Sequence, residues 1–146
     1  VLLLDEPAAA LDPPSREALL SLLVELLRED EPAIIISSHI LDDIERTVDW
    51  ILCLDRGRLV RDEALDALQE RYAEWRVLAT REALPVRFDE PWIRTARVDG
   101  RQAILTVEGG AGHRSGFEQR YGVSVEERPV RLERMFNLWI SDEASR

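Results

Sequence analysis

The chain has 146 residues, 45% hydrophobic and 33% charged, the composition of a folded domain, or part of one with a small appendage, rather than of a disordered segment. Its 29 acidic residues against 19 basic ones give a formal net charge of −10, which argues against a polyanionic partner such as nucleic acid. Every basic residue is Arg, the one cysteine (Cys53) excludes an internal disulfide, and no apolar run approaches the roughly 18 residues of a membrane span.

In chain order, residues 1–4 form a wholly apolar run that stops at Asp5-Glu6-Pro7, the pattern of a strand buried on both faces. Because Val1 already belongs to that run, a longer parent chain is expected. Residues 13–28 read as a helix. Leu19, Leu22, Leu23, Leu26 and Leu27 recur at helical spacing, with Arg16, Glu17, Glu25 and Arg28 on the water side. Asp12 before Pro13 supplies a capping carboxylate and a first-turn proline, and Glu31-Pro32 ends the helix. A second β run over 33–36 ends at Ser37-Ser38-His39. A helix over 40–48, a strand over 50–54, a turn at Asp55-Arg56-Gly57-Arg58 into Leu59-Val60 as the expected hairpin partner of that strand, and a helix over 64–72 follow.

Alternating strands and helices are the grammar of a parallel sheet, which brings the polar clusters at Asp5-Glu6 and Ser37–His39 to the rim where such sheets bind ligands. Past residue 74 the texture changes. Strands are expected over 75–80, 95–98 and 103–107, the last two joined by Asp99-Gly100, a strong hairpin signal. Gly109-Gly110-Ala111-Gly112 reads as a surface loop. A short helix near 117–121, a strand over 123–126 and a helix over 130–140 complete a small α+β unit. The expected division is residues 1–73 and residues 74–146.

Val1-Leu2-Leu3-Leu4-Asp5-Glu6-Pro7 resembles the Walker B segment of ABC ATPases. The segment Ala8-Ala9-Ala10-Leu11-Asp12-Pro13 is similar to their D-loop, with Ala9 where Ser is usual, and Ser37-Ser38-His39 resembles their H-loop. Three motifs in the family's order are far more specific than any one alone. The fold this implies is α/β, the C-terminal part of a P-loop NTPase parallel sheet followed by a small α+β accessory domain. The resemblance implies Mg²⁺ at Asp5, a general base at Glu6, a γ-phosphate contact at His39 and, at Asp12, a nucleotide-site contribution across a dimer. Asp12 is equally a helix cap, and both roles can hold together.

The family's Walker A loop, Q-loop and signature motif have no counterpart in these residues, and with no Lys the glycine run at 109–112 cannot be a Walker A loop. ATP hydrolysis is therefore expected of an intact parent, with ATP and Mg²⁺ as cofactors, and inactivity of this segment alone. Leu132-Glu133-Arg134-Met135-Phe136 resembles the Leu-Glu-Asp-Ile-Phe helix that ends many exporter ATPases, and Leu132, Met135, Phe136, Trp139 and Ile140 make an apolar stripe. Export is the direction this implies. The implied partners are a second ATPase subunit and a membrane-spanning permease, with the protein peripheral on the cytoplasmic face of the plasma membrane. A soluble ABC ATPase without a permease and a non-catalytic regulatory module are the alternatives.

Overall fold

The computed structural model describes residues 1–30 and 33–144, with side chains described outside 29–30 and 141–144. The chain divides into two compact units, Val1–Val48 and Asp49–Arg146.

In the first unit, β1 (Leu2–Asp5), α1 (Pro13–Asp30), β2 (Ile34–Ser37) and the four-residue α2 (Leu41–Ile44) follow one another. β1 and β2 pair in parallel, from Leu2 opposite Ile34 to Asp5 opposite Ser37, so both strands end at the same level. A parallel pair needs a long crossover, which α1 provides. Leu2, Leu4, Ile34 and Ile36 are half-buried, whereas Leu3 (71%) and Ile35 (55%) are exposed. Burial of the first strand on both faces is thus not met. Two strands and their crossover enclose little, and among the described residues of this unit only Ala8 and Leu23 are fully buried apolar side chains.

The second unit begins with β3 (Trp50–Asp55), β4 (Arg58–Ala64) and α3 (Leu65–Arg71). Its main sheet comprises β5 (Tyr72–Ala79), β6 (Ile93–Asp99), β7 (Gln102–Glu108) and β8 (Val123–Pro129), in the antiparallel order β6-β7-β5-β8. The helices are α4 (Arg114–Tyr121) and α5 (Leu132–Ala144).

β3 pairs antiparallel with β4 in a two-stranded sheet, the hairpin expected from the turn at residues 55–58, and not as the further parallel strand that alternation of strand and helix suggests. The cause is local. Arg56 (φ 48°) and Gly57 (φ 75°) both take left-handed backbone, as a two-residue primed hairpin turn requires, and they deliver β4 directly onto β3.

One face of the main sheet carries the larger core, in which Trp75, Val77, Leu105, Val107, Phe117 and Val125 are almost fully enclosed. The Trp75 ring edge keeps its polar handle satisfied by donating Nε1–H to Glu127 Oε2 at 2.8 Å. Gly110 is buried against this core, so the glycine run is not wholly a surface loop. A Cβ there would lie 2.7 Å from Val107 Cγ2. α5 buries Leu132, Met135, Leu138 and Trp139, while Phe136 and Ile140 are half-buried. The stripe is therefore turned slightly from the one the spacing suggests. Arg134 Nε, on α5, meets the buried Glu74 of β5 at 2.7 Å.

Candidate active site

The equal ending of β1 and β2 brings three of the four sequence-identified residues together. Asp5 is the last residue of β1, Glu6 the next, and His39 lies two residues past the end of β2. His39 Nδ1 and Glu6 Oε2 are 2.9 Å apart. A carboxylate accepts and cannot donate, so Nδ1–H is the donor of this contact. The pair is accessible, with 69% of the His39 side chain and 38% of the Glu6 side chain exposed.

Glu6 is held in an uncommon conformation. Its φ of 44° lies in the left-handed region, which a residue with a Cβ enters only when its surroundings compensate. The compensation comes from β2. Glu6 N–H donates to Ser37 Oγ at 2.9 Å and to the Ser37 carbonyl at 3.2 Å. Ser37 Oγ in turn donates to Asp5 Oδ1 at 2.5 Å. Reading the sequence passes over Ser37 in favour of His39, and the signal that could have found it is the strand register, Asp5 opposite Ser37.

Asp12 lies apart from this cluster in its bonding. Its Oδ1 accepts the Ser15 N–H at 2.9 Å and its Oδ2 the Ser15 hydroxyl at 3.1 Å, while its carbonyl accepts the Arg16 N–H. It is the N-cap of α1. These bonds from Ser15, backbone first, hold its carboxyl below its ordinary range. Arg16 was also passed over. It reaches back toward the Leu11 carbonyl at 3.5 Å and pairs with Asp43 of α2 at 3.3 Å. It thereby bridges the loop before α1 and the helix after His39.

The donor set suits a magnesium ion carried in by a nucleotide. Asp5 offers hard carboxylate oxygens beside the Ser37 hydroxyl, and Mg²⁺ commonly takes one or two protein carboxylates and completes its shell with water and phosphate. Among the described residues, no group of three or more His, Cys, Asp or Glu side chains forms an all-protein cage.

No family model matches the chain. Curated proteins do. The chain is 42% identical over 66 residues to a thiamine import ATP-binding protein of Rhizobium meliloti, a stretch covering 45% of this chain and 28% of that protein. It is 36% identical over 61 residues to an energy-coupling factor transporter ATP-binding protein of Enterococcus faecalis, covering 42% and 21%. An aliphatic sulfonates import ATP-binding protein of Nocardia farcinica is 39% identical over 71 residues, covering 49% and 29%. Over that stretch the chain is homologous to ABC transporter ATP-binding subunits. It spans less than a third of the length of each of these relatives. The parallel β1–α1–β2 unit is α/β, consistent with part of the ABC ATPase fold.

Proposed function

We propose that these residues are the hydrolytic end of an ABC transporter ATPase, acting within a longer subunit that binds ATP and converts it with water to ADP and phosphate. The observation that carries this reading is the 2.9 Å pairing of Glu6 with His39 at the ends of two adjacent parallel strands, with Asp5 alongside. A carboxylate placed there accepts a proton from the attacking water, and an imidazole N–H holds a phosphate oxygen. Each side chain now contacts the other, so the pair must part to admit water and γ-phosphate. Asp5 is the residue that would hold Mg²⁺, and bound Mg²⁺ supplies neutralisation of charge on the phosphate oxygens. Asp12 caps α1, and its second proposed role, supported by the family resemblance, is at the junction with a second ATPase subunit.

The exposed apolar side chains Leu3 and Ile35 support a longer parent, since parallel strands are ordinarily covered on both faces. The change in sequence pattern past residue 74 supports treating 74–146 as an accessory domain. β3, β4 and α3 nevertheless belong to the same compact unit as the main sheet.

A membrane-spanning permease is the proposed partner, with the ATPase peripheral on the cytoplasmic face and no role for nucleic acid. No described helix is long and apolar enough to cross a membrane itself. For transport direction, the C-terminal helix favours export, whereas two of the relatives above carry import in their names. We place export first on the resemblance of Leu132–Phe136 to the helix that ends many exporter ATPases.

Hydrolysis by the whole subunit, purified with and without its co-encoded permease, tests the reading. Mg²⁺-dependent turnover that rises with the permease is expected, and turnover indifferent to any membrane partner would favour a soluble ABC protein. Deleting the subunit from its host decides direction. Hypersensitivity to toxic compounds indicates export and loss of nutrient uptake indicates import.

A further inference from the structure

We propose that Ser37 is a positioning residue of this site, acting on Asp5 and Glu6 through one hydroxyl. The inference rests on the ATPase reading above and adds a residue to it. A serine hydroxyl has one donor and two acceptor sites, so it can serve both neighbours at once. Here it does: Ser37 Oγ donates to Asp5 Oδ1 at 2.5 Å and accepts the Glu6 N–H at 2.9 Å.

The two contacts fix different things. The first engages one oxygen of the Asp5 carboxylate and so sets the rotation of the group proposed to face the metal. The second clamps the backbone of Glu6 where φ is 44°, the turn from which its side chain reaches His39. Removing the hydroxyl leaves Glu6 N–H with only the longer contact to the Ser37 carbonyl at 3.2 Å. Ser37 can do this because parallel pairing sets it directly opposite Asp5, at the last position of both strands.

A purely structural serine at a strand end would affect stability alone, so the test separates stability from chemistry. In the whole subunit, Ser37→Ala should lower kcat on the order of ten- to a hundredfold, since small misplacements of reacting groups carry large rate penalties. KM for ATP should move by less than about threefold, because the loss falls on the transition state rather than on ground-state binding. Calorimetry without turnover gives an independent readout. The Mg²⁺ concentration needed for tight ADP binding should rise in Ser37→Ala, and Ser37→Thr, which keeps the hydroxyl, should restore both measurements.

Turnover of Ser37→Ala within about twofold of the parent, with Glu6→Gln inactive in the same assay, overturns the proposal and leaves the ATPase reading standing. Near-normal turnover of Glu6→Gln removes the reading and the proposal with it. Should Ser37→Ala be recovered unfolded, Ser37→Cys, similar in shape but a weak donor, carries the same expectation, and normal turnover there overturns the proposal.

Discussion

Asp12 shows how one side chain can anchor the start of a helix. Its carboxyl is held below the ordinary range by the bonds from Ser15, so the folded state binds its proton less readily than the unfolded chain. The capping stabilisation is therefore fully present above the unfolded carboxyl pKa and is lost as pH falls through the lowered folded value. Asp12→Ala should lower the melting temperature near neutral pH, and the gap from the parent should close under strongly acidic conditions. Thermal melts of parent and variant across that range check it, and a pH-independent gap would contradict it. Asp5, Glu6 and His39 were legible in the sequence because each follows an apolar run, and strand ends are where a parallel sheet presents polar groups. Ser37 and Arg16 were not legible, because their partners, Asp5 and Asp43, are about thirty residues distant and become neighbours only through strand register and the return of the chain.

At the scale of elements, the sequence read type better than partnership. α1 begins at Pro13 as the capping signal implied, and the Asp99-Gly100 hairpin joins β6 to β7. The turn at Asp55-Arg56-Gly57-Arg58 announced the β3–β4 hairpin, in which Arg56 and Gly57 both have positive φ, whereas alternation of strand and helix pointed wrongly to a further parallel strand. Spacing along α5 gave the right helix but favoured Phe136 over Leu138, because neighbouring apolar positions compete for one stripe and the packing surface decides between them. Two substitutions probe this packing. Trp139→Ala should cost about 3–5 kcal/mol as a large-to-small change at a buried aromatic, and Phe136→Ala clearly less, since Phe136 is half-buried. Gly110→Ala should cost about 1–3 kcal/mol by overpacking, its new methyl falling 2.7 Å from Val107 Cγ2 and 3.1 Å from Trp75 Nε1. Thermal unfolding of each variant beside its parent gives the order. Equal effects of Trp139→Ala and Phe136→Ala would contradict the described orientation of α5.

At the scale of the whole molecule, the site is proposed to be one part of a larger catalytic apparatus. Glu6 and His39 stand exposed at the ends of their strands, and the chain has no Lys with which to grip a phosphate. This chain alone should therefore bind MgATP more weakly than about 1 mM, and micromolar affinity in calorimetry would show that the residues needed for binding are all present. Glu6 is proposed as the base of ATP hydrolysis in the whole subunit. Glu6→Gln keeps the size of the side chain and removes its basic oxygen, so it isolates that role. Turnover by the purified whole subunit should fall by about a hundredfold or more while ATP affinity is essentially unchanged, the range expected for loss of a general base. Turnover of the Glu6→Gln subunit close to that of its parent would contradict that role.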